Sequence, residues 1–292
     1  MAASPIPETG VRDVKSAART VELLEVLSSR QNRPTSIREL SEEMGVPRSS
    51  LHALLRTLAK HGWVRGDSTG SMYMIGIRAL LAGTSYLDSD PYLPVVQTFL
   101  DDLNDQHDET FHFGRLDGTD VVYLATRESS RYLRAYSRVG RRLPAFATSL
   151  GKALLADRTG AELETHLLRA PVALTPHTLV QRADLDADLE THLLRAPVAL
   201  TPHSLVHRAD LAADLAATRE RGYAIDNEEN TPGLRCFAFA LPYSEPATDA
   251  ISVSLPLSRL TETRERDLIA GLRLASQKIG NIVRPIKDAA WT

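Results

Sequence analysis

Two short amphipathic helices, separated by a glycine-containing turn near the N-terminus, constrain the fold of this chain most strongly. In TSIRELSEEM, Ile37, Leu40 and Met44 recur at helical spacing, and Gly45-Val46-Pro47 then interrupts the pattern. The next segment, RSSLHALLRTLAKHG, places its leucines on one face and ends at Gly62. A helix, a tight turn and a second helix form the arrangement that sets the second helix into the major groove of DNA.

Flanking patterns extend this pair to a winged helix-turn-helix domain over residues 11–75. Upstream, VKSAARTVELLEVLSSR repeats apolar residues at helical spacing. Downstream, WVRGDSTGSMYMI has two short apolar stretches around the turn sequence Asp67-Ser68-Thr69-Gly70, which predicts a hairpin. Residues 76–90, which hold most of the helical pattern IGIRALLAGTSYL, predict a linker helix to a second domain.

Charge is distributed unevenly along a chain whose net charge is −3. Residues 1–75 carry ten Lys/Arg and eight Asp/Glu, the remainder carries 24 and 29, and residues 45–66 contain no acidic residue. A solvated helix face explains the charge alone equally well, but the helical pair and wing favour phosphate contact. The DNA-contact candidates are Ser36, Arg48, Ser49, Ser50, His52, Arg56, Lys60 and Arg65.

The bulk properties describe a soluble, intracellular protein with two domains. A single cysteine, Cys236, excludes an internal disulfide and fits a reducing cytoplasm. No apolar run approaches the ~20 residues of a membrane span. Residues 1–10 lack the apolar core of a signal peptide and are expected to form a disordered tail.

Residues 91–292 predict an α+β domain with a central antiparallel sheet. PYLPVVQTFLDDLNDQH is an amphipathic helical pattern, and a second one, TETRERDLIAGLRLASQKIGNIV, closes the domain. Strand patterns lie between them in TFHFGRLDG, DVVYLATRE, YLRAYSRVG, ATRERGYAIDNEE, LRCFAFALPY and AISVSLPLSR. Helices at both ends of a run of strands indicate a sensor-type sheet.

A tandem duplication interrupts this domain. Residues 164–189 and 190–215 differ only at Thr178/Ser204, Gln181/His207 and Asp186/Ala212. Two units are too few for a solenoid, so the repeat is interpreted as an insertion that adds a helix over about 181–195. A neutral insertion and an altered oligomer contact both remain open. The duplicated histidines His166, His177, His192 and His203 lack the convergent spacing of a metal site, and no cofactor is predicted.

Three segments carry a resemblance to a known family: YSRVGRRLPAFATSLGKALLA (136–156), RGYAIDNEENTPGLRC (221–236) and AISVSLPLSR (250–259). With the helix-turn-helix and wing, they resemble the IclR family of bacterial transcriptional regulators over nearly the full chain. The residue sequences of the first two segments most resemble the branch that represses genes for sugar-acid breakdown. One departure is Ala53 in the second helix, where relatives commonly carry arginine.

The resemblance implies a homodimer, or a dimer of dimers, that binds double-stranded operator DNA and a small carboxylate effector. It implies a GAF-like effector domain, without catalytic residues, whose pocket lies on one face of the sheet. It assigns to this pocket Tyr132, Ala135, Ser149, Leu150, Asp226, Leu234, Cys236, Ser252 and Ser254. Phe146, Tyr132 and Phe237 keep an aromatic acid open beside a 2-keto-3-deoxy sugar acid.

These residues make chemical sense in a pocket. Backbone N–H groups after Ser149 suit a carboxylate, and the hydroxyls of Ser252 and Ser254 face one side of a strand. Ser149 as a helix cap, Cys236 as a small buried residue and Asp226 as a turn cap are the structural alternatives.

Two other functions compete with a regulator. An enzyme would use Cys236 or Ser149 as its nucleophile, but the sequence suggests no histidine and acid partner. A sensor or scaffold with weakened DNA binding would fit Ala53.

Overall fold

A computed structural model describes residues 14–30, 33–135, 137–160, 162–163, 200–205 and 208–289. Contacts divide the chain into two units with a boundary between Asp90 and Pro91. The predicted tail, the first repeat copy and the predicted extra helix over 181–195 lie outside the described residues, as do His166, His177, His192 and His207. Within the described ranges, no helix has the length and apolar character that crossing a membrane requires.

The first unit is the predicted winged helix-turn-helix, which is confirmed. Its elements are α1 (Lys15–Ser29), β1 (Thr35–Ser36), α2 (Ile37–Met44), α3 (Arg48–Lys60), β2 (Val64–Gly66), β3 (Met72–Ile75) and α4 (Ile77–Ser89). The three strands form an antiparallel sheet in the order β1-β3-β2. The sequence patterns missed β1, which is only two residues long.

A leucine core holds α1, α2 and α3 together. Leu23 of α1, Leu40 of α2, and Leu51 and Leu55 of α3 are all fully buried in it. Between α2 and α3, Gly45 adopts the left-handed backbone conformation with φ 63°, which L side chains rarely adopt. This residue ends α2 and lets the chain turn into α3.

The second unit contains a six-stranded antiparallel sheet, as the predicted α+β class requires. Its elements are α5 (Leu93–His107), β4 (Thr110–Asp117), β5 (Asp120–Arg127), β6 (Arg142–Pro144), α6 (Ser149–Ala156), α7 (Arg208–Arg221), β7 (Ala224–Asn227), β8 (Leu234–Ala240), β9 (Asp249–Pro256) and α8 (Glu262–Ala289). The strand order is β6-β5-β4-β9-β8-β7.

One predicted strand is wrong. The described residues of YLRAYSRVG form a loop, in which Gly140 has a φ of 78°. The outer edge of β5 is occupied instead by β6, which pairs Arg142–Pro144 with Asp120–Val122. Gly140, its last residue, donates its backbone N–H to the Tyr123 carbonyl at 2.8 Å as the chain enters β6. A second predicted strand, ATRERGYAIDNEE, is right only in part, because residues 217–221 belong to α7 and Ala224–Asn227 form β7.

The two faces of the sheet differ in character. One face packs large side chains such as Phe111, Phe113 and Phe237 on the side of α5 and α8. On the other face, Ala224, Ala238 and Ala250 are small enough for α6 to lie close against the strands. Because side chains alternate along a strand, the even-numbered residues of β7, β8 and β9 share the α6 face.

Candidate functional site

The first candidate site is the outward face of α3. Arg48, His52, Arg56 and Lys60 follow one another at intervals of four residues and are all exposed, opposite the buried leucines. Within the described ranges, Arg48, Arg56 and Lys60 make no hydrogen bond or ion pair. Like charges at i,i+4 spacing repel one another on a helix. This cationic stripe, defined by these four residues, is therefore suited to bind a polyanion.

The other predicted DNA contacts of this unit differ in exposure and in hydrogen bonding. Ser49 is exposed and Ser50 is half-buried at the start of α3, and Arg65 lies exposed on β2 of the wing. Ser36 is committed to a capping box, since its hydroxyl accepts from Glu39 N at 3.2 Å and lies 3.0 Å from Glu39 Oε2. The structure thus shows Ser36 as the N-cap of α2.

The wing tip is organised by Asp67. Its carboxylate accepts from the backbone N–H groups of Ser71 and Met72 at 2.8 and 3.0 Å and from the Thr69 hydroxyl at 2.5 Å. These hydrogen bonds, chiefly that from Thr69, lower the pKa of Asp67 to about 2. The hairpin therefore carries a fixed negative charge at its turn.

The second candidate site is a row of polar side chains on the α6 face of the large sheet. Strand register places Asp226 beside Cys236, Cys236 beside Ser254, and Ser254 beside Thr110. A parallel row contains Ser252 and His112. All these side chains are buried, and Ser254 Oγ lies 3.1 Å from Cys236 Sγ. Four of these residues were predicted for the effector pocket, and we call them together the polar row: Asp226, Cys236, Ser252 and Ser254.

Asp226 is the ionisable group of the polar row. Burial, followed by the neighbouring Glu229 carboxylate, raises the pKa of Asp226 to about 6. Its Oδ1 accepts from the Glu229 N–H at 2.8 Å. Burial and Asp226 also raise the pKa of the Cys236 thiol well above its ordinary value, so the thiol stays protonated. A protonated, buried thiol is a poor nucleophile, which speaks against the enzyme hypothesis.

The start of α6, which packs on the same face of the sheet, has backbone groups without partners in the part of the chain that the structure describes. Thr148, rather than Ser149, is the N-cap, because its hydroxyl accepts from Gly151 N at 3.0 Å. Ser149 and Leu150 are buried in the first turn. Among the described residues, their backbone N–H groups have no hydrogen-bond acceptor. These two N–H groups can therefore receive a carboxylate at the positive end of the helix.

Three other predicted pocket residues lie elsewhere or at the margin. The Tyr132 side chain is 101% exposed in the loop before β6, so the structure does not bring it to the polar row. Ala135 is buried, and its carbonyl accepts from the Thr110 hydroxyl at 3.3 Å. Leu234 is half-buried at the start of β8. Phe237 points to the opposite face of the sheet from Cys236.

Sequence reasoning missed two polar residues beside Ser252. His112 Nδ1 lies 3.2 Å from Thr126 Oγ1, and Tyr123 meets the imidazole edge-on at 5.1 Å. Burial, with Arg141 nearby, lowers the pKa of His112 to about 3, and burial raises the pKa of Tyr123. Both groups are neutral hydrogen-bonding partners. The period of two in TFHFG placed His112 on the face of Thr110, but only the β4–β9 pairing brings it to Ser252.

Lys152 was also missed, although the sequence signalled it. It is the one charged residue in SLGKALLA, and it is fully buried in α6. Its Nζ lies 2.6 Å from Glu229 Oε1 and 3.0 Å from Asp214 Oδ2. A buried charge requires partners, and these ion pairs join α6, α7 and the β7–β8 turn.

Two family profiles match the chain. The profile described as the IclR helix-turn-helix domain matches residues 16–68. The profile described as the C-terminal domain of bacterial transcriptional regulator IclR matches residues 84–197 and again 193–281. The break between the two C-terminal matches falls inside the second repeat copy. Both descriptions name regulator domains rather than an enzyme.

Individual proteins agree with the profiles. The chain is 32% identical to the HTH-type transcriptional regulator XynR of Escherichia coli over 91% of this chain and 94% of that protein. It is 30% identical to the transcriptional repressor IclR of E. coli over 95% of this chain and 92% of that protein. A solved structure of a transcriptional regulator from Rhodococcus is 26% identical, covers 94% of this chain and 100% of its own, and superposes with a TM-score of 0.69.

Proposed function

The chain belongs to the IclR family of bacterial DNA-binding transcriptional regulators, and on that premise we propose that it represses a catabolic operon in the cytoplasm until a small carboxylate releases it. The observation that supports this proposal is that the described part of the chain contains two sites in which polar groups lack partners. One is the cationic stripe of α3, whose charges lack internal partners. The other is the polar row, whose buried hydroxyls and acid lie on the sheet face against which α6 packs. Neither site needs a catalytic residue.

The operator contact is assigned to the first turns of α3. Arg48 and Ser49 lie exposed at its N-terminal end, and Arg56 continues the same face. Arginine reads guanine or clamps phosphate with paired N–H donors, and serine bonds either. Arg65 on the wing and Lys60 at the end of α3 extend the positive surface on both sides.

The effector is assigned to the polar row. A carboxylate is expected on the N–H groups of Ser149 and Leu150, with Ser252 and Ser254 beside it. The neutral side chains of His112 and Tyr123 favour an effector that carries further hydroxyl or keto oxygens. An oxygenated acid, such as a 2-keto-3-deoxy sugar acid, suits this set better than an aromatic acid does. Phe237 and Tyr132 point away from the polar row, and Phe146 is already packed in the core with α6.

A homodimer through the DNA-binding domains completes the proposal. Three apolar side chains of α4, Ile77, Leu80 and Leu81, are 66%, 59% and 53% exposed. A stripe of this kind favours burial against a second copy. A dimer would present two α3 helices to the two halves of a symmetric operator, and pairing of dimers would give the tetramer.

The decisive experiment is a gel shift with the purified chain on DNA flanking its own gene, at fixed salt. A panel of sugar acids and a matched panel of aromatic acids are added. We expect salt-sensitive binding that a sugar acid releases and that the double variant Asp226→Ala, Ser254→Ala no longer releases. Release by the aromatic panel alone would reject the effector class, and intact release in the double variant would reject the site.

Absence of binding to any flanking fragment would favour a sensor with weakened DNA binding. The specific observation behind this alternative is Ala53, an exposed alanine on the reading face of α3. Ala53→Arg is the variant that would then be expected to restore a shift. A sensor without operator contact would show effector binding in both forms and a gel shift in neither.

A further inference from the structure

The second repeat copy touches the turn that carries the polar row's acid. The Thr201 hydroxyl donates to the carbonyl of Glu228 at 2.6 Å and lies 3.1 Å from that of Glu229. The Ser204 hydroxyl donates to the Glu229 carbonyl at 2.5 Å. Thr201 is buried, and both hydroxyls belong to the sequence Thr201-Pro202-His203-Ser204.

These two hydroxyls are also fixed within their own turn. Ser204 Oγ accepts from the N–H groups of Leu200 and Thr201 at 2.9 and 3.0 Å. Thr201 Oγ1 accepts from His203 N at 3.1 Å. Each hydroxyl therefore accepts a hydrogen bond inside its own turn and donates one to a carbonyl of the Glu228–Glu229 turn. These bonds fix the hydroxyl in one orientation.

The turn that they hold requires support. Glu228 has a φ of 62°, a conformation that is unfavourable for a residue with a side chain. The next residue, Glu229, donates its N–H to Asp226 Oδ1 at 2.8 Å and pairs with buried Lys152. The position of the Asp226 carboxylate thus depends on a strained turn whose two carbonyls are held by Thr201 and Ser204.

We propose that Thr201 and Ser204 are positioning residues for Asp226, and that the second repeat copy, rather than the first, supplies them. The inference deepens the proposed function, since Asp226 belongs to the effector site assigned above. The same copy also provides residues 208–215 of α7, in which Leu211 and Leu215 are buried in the core beneath α6. The turn and the core helix are joined by a few residues, so one copy makes both sets of contacts.

The duplication offers an unusual matched control. The first copy contains Thr175-Pro176-His177-Thr178, which differs from the docked turn only by Thr178 in place of Ser204. We would compare Thr201→Val, Ser204→Ala with Thr175→Val, Thr178→Ala in the full chain. Each pair removes two hydroxyls from nearly the same sequence context at equal chain length, and the two variants differ in composition only by one serine against one threonine.

The first readout is the pH profile of urea unfolding, which requires neither DNA nor effector. The relevant titration is that of Asp226, and burial is its main cause of shift. The titratable groups that face Asp226 are Glu229 on its own turn, Lys152 on α6, Cys236 on β8 and Tyr123 on β5. Between pH about 4 and about 6, Asp226 contributes a loss of stability with rising pH, whereas buried His112, with a pKa of about 3, contributes a gain, so each profile is compared with that of the wild-type chain. The second-copy variant should lose the contribution of Asp226, because a loosened turn admits water to it, and the first-copy variant should retain that contribution.

A merely structural role would lower stability equally at every pH and leave the slope unchanged. Conservative variants that keep the hydroxyls, Thr201→Ser and Ser204→Thr, should restore the wild-type profile. An unchanged slope in the second-copy variant, or an equal change in both variants, would overturn the proposal. This outcome is independent of the gel shift, so failure to find an operator would reject the proposed function and leave this assignment standing.

The second readout uses a 2-keto-3-deoxy sugar acid as the probe in the gel shift. Losing two hydrogen bonds at the turn should raise its half-maximal releasing concentration by about tenfold, with operator affinity in its absence unchanged. The first-copy variant should release like the wild type. Equal release by all three proteins would contradict the assignment.

Discussion

The helices α3 and α6 both bring their first turns to a candidate site, and they do so in opposite ways. α3 buries Leu51, Leu55 and Leu58 and leaves its other face in solvent. In α6 all eight residues are buried, including Lys152. In the proposed function, the exposed face of α3 contacts DNA through its side chains. The enclosed helix α6 is proposed to act through its backbone N–H groups and through the neighbours that it positions.

The glycines next to the two helices show the same contrast. A Cβ added at Gly45, before α3, would meet nothing within 4 Å. A Cβ added at Gly151, in α6, would lie 2.1 Å from the Ala145 carbonyl oxygen. The surroundings of α3 are open on the side of the turn, whereas α6 is seated directly against backbone. Substitutions should therefore act on chemistry in α3 and on structure in α6.

The largest expected effect comes from Gly151→Ala. The added methyl group cannot fit without moving the Ala145 backbone, so we expect a loss of about 3 kcal/mol or more in unfolding free energy. Urea unfolding followed by circular dichroism measures it. Gly83→Ala, in the open interior of α4, is the control and should gain about 0.5–1 kcal/mol. Equal stability of Gly151→Ala and the wild type would break the contrast between the helices.

The next effect concerns the buried acid. The folded pKa of Asp226 is raised from 3.8 to about 6, so its charged form destabilises the fold; at ~1.4 kcal/mol per pH unit this amounts to about 3 kcal/mol above pH 6. Asp226→Asn should therefore be more stable than the wild type at pH 7. The two should converge as the pH falls below the unfolded value of 3.8. Unfolding free energies measured from pH 3 to pH 7 would show it, and a constant difference across that range would contradict it.

The smallest expected effect is on the exposed helix. Arg48→Ala should weaken operator binding by about 1–3 kcal/mol and leave folding unchanged. If Arg48 contacts phosphate, the slope of log affinity against log salt should also fall by about one. Arg266→Ala, an exposed arginine of α8, removes the same charge far along the chain and should change neither quantity. Similar losses of operator affinity in both variants would indicate general electrostatic attraction to DNA rather than a specific contact of Arg48.

The exposed site was readable from the sequence because it depends on local periodicity. The spacing of Leu51, Leu55 and Leu58 fixes which side of α3 is buried, and the cationic stripe follows at once. The winged fold was predicted for the same reason. Only β1 was missed, because a strand of two residues has no period to detect.

The buried site depends on register between strands that are distant in sequence. Asp226, Cys236, Ser252 and Ser254 were assigned through family resemblance, and pairing brings them together. His112 reaches Ser252 only because β4 pairs with β9, about 140 residues away along the chain. The prediction of a strand around Tyr132 was wrong because β-propensity alone does not determine whether a segment pairs with a neighbouring strand.

The docked turn of the second repeat copy has a genetic consequence. Recombination between the stretches of the gene that encode the two units would delete 26 residues and keep the reading frame. Whichever unit is lost, the shortened chain keeps a Thr-Pro-His turn with two hydroxyls, because the copies exchange Ser204 only for Thr178. The duplication is therefore reversible at the level of the gene. A strain that loses one copy should still produce a protein in which two hydroxyls hold the turn that positions Asp226.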